Sequence, residues 1–207
     1  MLLLKNIHKS YNTEAVLEIP FLQLENGIYW IKGANGSGKT TLLNMIAGLI
    51  PFEGDILCKE ISLKNKPLKY RQITSWAEAE PLFPEFMTGL DLIMLYRSIR
   101  KVPQSAADEL ISLFKMTEYV HQAVGTYSAG MTKKLSLVLA FLGNTPLVVL
   151  DEPLITLDPD ALATVCNFIL EKHNHNGTTF LLSSHQELGT GLLLSGRELV
   201  VKNRSVF

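Results

Sequence analysis

The stretch Tyr29-Trp30-Ile31-Lys32-Gly33-Ala34-Asn35-Gly36-Ser37-Gly38-Lys39-Thr40-Thr41 decides how this chain is read. Tyr29–Lys32 is mostly apolar and reads as a short strand. Gly33 to Thr40 then follows the pattern Gly, four variable residues, Gly-Lys-Thr, which is a P-loop. Beyond it, Leu42, Leu43, Ile46 and Leu49 recur on one helical face, so a helix is expected over Lys39–Leu49. Strand, glycine-rich turn and helix in that order build a phosphate cradle. The glycines let successive backbone N–H groups curl around an anion without Cβ clashes. The helix N-terminus after Gly38 adds its partial positive charge. Lys39 is expected to reach the β- and γ-phosphates, and the Thr40 hydroxyl to bind Mg²⁺. Asn35, Gly36 and Ser37 complete the loop, and Thr41 can add a further phosphate hydrogen bond. A nucleoside triphosphate with Mg²⁺ is the expected ligand.

A second feature supports the first. Leu147-Val148-Val149-Leu150 is a continuous apolar run that ends in Asp151-Glu152. Continuous rather than alternating apolar residues fit a strand covered on both faces. Such a strand delivers its terminal carboxylates to the carboxyl edge of the sheet, where ligands bind in open α/β folds. Asp151 is expected to hold Mg²⁺, directly or through water. Glu152 is expected to polarise an attacking water as general base. Thr179–Leu182 is a second such run, and a helix near Pro159–His173 lies between the two.

The rest of the chain divides by texture. The first part reads as short strands at Leu2–Ile7, Val16–Ile19, Phe21–Leu24 and Ile28–Ile31. Further strands are suggested at Asp55–Leu57 and Ile73–Trp76. From about Glu78 to Tyr127 the spacing turns helical, with Leu90, Ile93 and Met94, then Leu110, Ile111, Leu113 and Phe114 behind Pro103. Ala129–Leu142 is a strong helix pattern. One α/β domain over 1–207 is expected: a P-loop core with a mainly parallel sheet, an antiparallel β subdomain at the N-terminal side, and an inserted α-helical subdomain. The core takes 1–77 and 128–207, and the insertion about 78–127. At about 150 residues per domain, 207 residues fit this arrangement.

Composition removes several function classes. Apolar residues make up 47% and charged residues 19%, which excludes a disordered chain. Mean hydropathy is +0.18, yet no run reaches the roughly 18 apolar residues of a membrane span. Net charge is −1, so no global basic field advertises nucleic acid as a partner. Cys58 and Cys166 are isolated and make neither a disulfide framework nor a metal spacing. Met1–Lys5 lacks the length of a signal peptide, and a reducing cytosol is the expected compartment. His173 and His175 fall on different sides of a helix end and read as solvated.

Three further motifs carry a family resemblance. Tyr127-Ser128-Ala129-Gly130-Met131 opens the helix before the Asp151 strand. Leu157-Asp158-Pro159 follows Glu152, and Ser183-Ser184-His185 follows the last buried strand. In this order, over essentially the whole chain, the sequence resembles the ATP-binding subunit of an ATP-binding cassette (ABC) transporter. The family signature usually reads Leu-Ser-Gly-Gly-Gln; Ser128 and Gly130 match it, while Ala129 and Met131 depart. The resemblance implies an ATPase that pairs head-to-tail with a second copy or a paralogous subunit. ATP would lie between the P-loop of one chain and the signature helix of the other. Ser128 and the N–H groups near Gly130 would then cap the γ-phosphate of the partner's nucleotide. His185 matches the switch histidine that contacts the γ-phosphate and aligns Glu152. Asp158 matches the loop that couples the two sites, and Tyr11 the aromatic that stacks on adenine. A separate transmembrane permease is implied, with this chain peripheral on the cytoplasmic face of the membrane. Phe83, Phe86 and Met87 are candidates for the permease-facing surface, or for the core of the helical insertion.

One position departs from the family. Where a Gln is usual ahead of the Phe83-Pro84 step, this chain has Glu78. A carboxylate can still ligate Mg²⁺ and orient water, but it adds negative charge beside a triphosphate. Two readings of Glu78 stand: it tunes Mg²⁺ dependence, or it is a solvated loop residue. A family ATPase uncoupled from transport, and a nucleotide-gated module with little turnover, are the alternatives left open.

Overall fold

The computed structural model describes residues 2–184 and 196–207. The chain begins with a long hairpin, β1 (Leu2–Tyr11) and β2 (Glu14–Leu24). The expected strands Val16–Ile19 and Phe21–Leu24 are one continuous strand here, running through Pro20. Proline lacks an N–H to donate, and β2 tolerates it because it is the edge strand of its sheet. After β3 (Ile28–Lys32) comes helix α1 (Lys39–Ala47), stopped by Gly48. Then follow β4 (Glu53–Cys58), β5 (Ile61–Ser62), α2 (Pro67–Gln72) and β6 (Thr74–Ala77). The sequence reading missed α2, which has six residues and a single buried side chain, Tyr70.

The helical segment contains α3 (Gly89–Arg100) and α4 (Gln104–Leu113). Thr88 starts α3 with a capping box: its hydroxyl accepts from the Asp91 N–H while the Asp91 carboxylate accepts from the Thr88 N–H. A short 3₁₀ turn at Val124–Thr126 leads into α5 (Ala129–Phe141). The remaining elements are β7 (Leu147–Leu150), α6 (Pro159–Asn176), β8 (Thr179–Ser183), β9 (Gly196–Lys202) and β10 (Ser205–Val206). His173 is not simply solvated. It is half-buried at the end of α6, and its Nδ1 lies 2.9 Å from the Thr178 carbonyl.

Two sheets result. The antiparallel one has the order β2-β1-β4-β5. The other has the order β10-β9-β3-β8-β7-β6, parallel from β9 to β6 with β10 antiparallel at its edge. The fully buried strands β7 and β8 feed two cores by strict alternation. Val148, Leu150, Phe180 and Leu182 join a core with residues of α3 to α6. Leu147, Val149 and Leu181 face the other way, into a core shared with α1 and the antiparallel sheet. This double covering explains the high mean hydropathy without a membrane span, since each such side chain contributes about 1.5–3 kcal/mol by burial. It also places the ends of β3, β7 and β8 side by side at one edge of the parallel sheet.

Candidate functional site

The P-loop forms because β3 must turn sharply into α1. Gly38 stands at the helix start with φ +103°, a conformation that other L-residues avoid. Lys39 is buried, and its Nζ donates to the Gly33 carbonyl at 2.8 Å and to that of Ala34 at 3.1 Å. The ammonium is thus held against the loop it is meant to serve. Ser37 Oγ is buried against Gly33 with no hydrogen-bond partner among the described residues.

The second wall comes from the end of β7. Asp151 is only 2% exposed and is held from both sides. Its N–H donates to the Ala77 carbonyl at 2.9 Å, and its carboxylate accepts from Ser183 Oγ at 2.6 Å. Ser183 Oγ in turn accepts the Glu152 N–H at 2.9 Å. Glu152 sits at φ +46°, a left-handed conformation that costs a non-glycine residue on the order of 1–3 kcal/mol. Such strain concentrates at functional positions, and here it turns Glu152 into the cleft. Ser183 is a residue the sequence reading left without a role. Its importance follows from the parallel pairing of β7 with β8, which sets Leu150 beside Leu182 and so Ser183 near Asp151.

Together these segments line a cleft of about 470 Å³. Its walls are Tyr11, Val16, Asn35, Gly36, Gly38, Lys39, Thr40, Thr41 and Glu152. Tyr11 lies at the end of β1, half-exposed, with Lys9 Nζ 4.5 Å above its ring. Clefts of about 530 and 710 Å³ lie elsewhere, but neither contains these residues. Volume does not pick out the site; the convergence of the P-loop, its lysine and the Glu152 carboxylate does, with the buried Asp151 immediately before Glu152 in the chain. The donor set suits Mg²⁺, which takes one or two protein oxygens and fills the rest of its shell with phosphate oxygens and water. Thr40 and Asp151 are of the right chemistry, and no cluster of three metal-ligating His, Cys, Asp or Glu side chains exists among the described residues.

The other expected residues lie elsewhere. Ser128 caps α5, its hydroxyl accepting from the Met131 N–H at 3.2 Å. Gly130 packs so tightly that a Cβ there would lie 2.8 Å from the Thr156 carbonyl, which explains the glycine independently of any ligand. Asp158 caps α6 through the Ala161 N–H at 2.8 Å and pairs with Lys134 Nζ at 2.9 Å. These contacts hold its carboxyl below the ordinary range, the Lys134 hydrogen bond most of all. None of Ser128, Gly130 and Asp158 lines the 470 Å³ cleft. Glu78 follows β6 and lines a separate groove of about 360 Å³ with Trp76, Phe83, Met87 and Tyr96. His185 lies outside the described residues.

One buried cation was not expected. Lys133 of α5 is 2% exposed and donates to the carbonyls of Glu78, at 2.9 Å, and Ala79. Burial pushes its pKa down to about 8, against the opposing pull of Asp151, Glu152 and Glu80.

Fold and cleft together define a P-loop nucleotide-binding protein. The family model of the ABC transporter matches residues 21–155, and the chain belongs to that family as an ATP-binding cassette. The cassettes of this family are ATPases. Over 160 residues the chain is 35% identical to the cytochrome c biogenesis ATP-binding export protein CcmA of Reclinomonas americana, covering 74% of this chain and 71% of that protein. It is 30% identical over 166 residues to the uncharacterized ABC transporter ATP-binding protein YhcH of Bacillus subtilis, covering 78% of this chain and 54% of that one. The chain thus spans about half of YhcH, and only 10% of the mouse ATP-binding cassette sub-family A member 17. Among solved structures, the ATP-binding subunit of an ABC transporter superposes with a TM-score of 0.89 at 25% identity, over 100% of this chain and 88% of that one. A dimeric cassette in a post-hydrolysis state, bound to ADP and Pi, shares the fold with a TM-score of 0.84 at 22% identity, over 100% of this chain and 96% of that one. Among the described residues no helix is long and apolar enough to cross a membrane.

Proposed function

We propose that this chain binds and hydrolyses ATP as the motor subunit of an ABC-type membrane transporter, working in a head-to-tail pair. The observation that carries the proposal is the split of the site residues. P-loop, Tyr11 and Glu152 share one cleft, while Ser128 and Gly130 stand outside it. A signature helix that starts outside its own chain's cleft has a function if it caps the nucleotide of a partner. The dimeric cassettes of the same fold support this reading.

In this reading the loop N–H groups and Lys39 hold the β- and γ-phosphates, and Tyr11 stacks on the base. Glu152 takes the proton of the attacking water, with Ser183 and the strained backbone fixing its place. Mg²⁺ held by Thr40 and Asp151 would neutralise phosphate charge, with Glu78 adjusting that demand. His185 would contact the γ-phosphate, and Asp158 would link the two sites of the dimer. The partner's Ser128 and Gly130 N–H groups would close over the γ-phosphate.

The segment of about 78–127 offers the surface for a permease on the cytoplasmic face of the membrane. Phe83 and Met87 line the groove beside Glu78 while packing partly on the core, and Leu82 and Phe86 are exposed at 91% and 85%. Apolar side chains this exposed around a groove are unusual for a surface that stays in water. Steady-state phosphate release, with Lys39→Ala as control, tests hydrolysis. Co-purification of the intact chain with a membrane protein, lost on Phe86→Asp, tests the coupling. Turnover that survives Lys39→Ala would overturn the assignment.

A further inference from the structure

We propose that Lys133 is a positioning residue of the ATPase, holding the chain in place where it leaves β6 at Glu78 and Ala79. The inference rests on the ATP-hydrolysing reading above.

The argument starts from cost. A lysine that is 2% exposed has given up its water, and a buried ammonium persists only where strong acceptors replace that water. The replacements are the carbonyl oxygens of Glu78 and Ala79. Backbone acceptors matter here, because holding them fixes the main chain rather than a side chain. They also come at a particular place. The ladder between β6 and β7 ends at Ala77 opposite Leu150, and the Ala77 carbonyl takes the Asp151 N–H. Beyond Ala77 the sheet no longer supplies partners for this strand. Lys133 takes over for the next two residues.

The lysine comes from the helix that carries the signature. Within its first two turns α5 takes hold of two loops that flank Asp151 and Glu152. Gly130 receives the Thr156 carbonyl at close range, and Lys134 pairs with Asp158. Lys133 secures the Glu78 turn on the other side. The start of α5 and the exit of β6 are therefore one mechanical piece. A displacement of Ser128 and Gly130 is carried to Glu78 through a buried side chain that lines no part of the cleft.

The test compares Lys133→Met, which keeps the length and removes the donors, with Lys133→Arg, which keeps them. Hydrogen–deuterium exchange reads the clamp directly and needs no turnover. In Lys133→Met, exchange over 74–77 and at the Asp151 amide, which bonds the Ala77 carbonyl, should rise about tenfold, the scale of lost charge-assisted hydrogen bonds, while β7 and β8 stay protected. The kcat should fall about tenfold with KM for ATP within about twofold, and Lys133→Arg should recover most of it. Unchanged exchange at these amides would overturn the proposal. So would exchange that rises evenly across the chain, or a kcat that stays at the wild-type value. Should Lys133→Met not fold, Lys133→Gln retains one amide donor and must show the same local pattern at smaller amplitude. A wild-type chain that releases no phosphate defeats the functional reading instead, and the exchange data then still decide the clamp.

Discussion

The P-loop cleft and the start of α5 are both built on a helix N-terminus, and they are finished to different degrees. At α1 the glycine turn, Lys39, Tyr11 and Glu152 surround a cleft within one chain. At α5 the capping serine and the close-packed Gly130 line no part of that cleft among the described residues. The first region is tied to the sheet through β3 and β7. The second is tied to loops, through Thr156, Asp158 and the Glu78 turn. The contrast fits the proposed division of labour, in which the first region holds the nucleotide and the second meets that of a partner.

The largest expected effects break the first region alone. Lys39→Ala and Glu152→Gln should each lower phosphate release by about a hundredfold or more, on the scale of losing a group that acts in the transition state. Glu152→Gln should still bind ATP and elute as a dimer in its presence. A strictly monomeric elution would count against the paired mechanism.

Mixing experiments set the two regions against each other. Ser128→Arg should leave nucleotide binding by one chain near normal while stopping turnover. Combined in equal amounts, inactive Lys39→Ala and inactive Ser128→Arg chains should recover about a quarter of wild-type activity, because half the dimers then hold one intact composite site of two. No recovery would mean that each chain completes its own site.

A smaller effect probes the link between the regions. Glu78→Gln should move the Mg²⁺ concentration for half-maximal rate by about two- to threefold, as one charge near the phosphates changes. An unmoved Mg²⁺ profile would leave Glu78 a groove residue only.

The smallest concerns Asp158. Its carboxyl is held below the ordinary range by Lys134 and by the Ala161 N–H. A depressed folded pKa adds stability above the unfolded value and loses it as pH falls through the folded one. The melting-temperature gap between wild type and Asp158→Asn should therefore be full at neutral pH and close below about pH 4. A gap that does not change with pH would assign the whole effect to packing.

Much of this was legible from local pattern. The P-loop, β7 with Asp151 and Glu152, α5 and α6 are coded by short-range spacing, and each stands where the sequence puts it. What escaped depends on neighbours distant in the chain. Pro20 looked like a strand break and is not, because an edge strand has no partner to lose on one side. Helix α2 carries too little periodicity to announce itself. Ser183 read as an anonymous serine ahead of His185, since its bond to Asp151 exists only once β7 and β8 pair. Lys133 drew no reading at all, because nothing local says that it is buried.

The sequence by itself determined that this protein carries a glycine turn of the phosphate-cradling kind and places two carboxylates at the end of a buried strand. Both signals are local, written in residues adjacent along the chain. Only the tertiary structure decided which of the expected residues share a cleft and which stand apart. It also decided that a lysine on the signature helix grips the backbone beside Glu78. Those outcomes depend on strand order and helix packing, which bring together groups far apart in the chain and are not encoded at any one position.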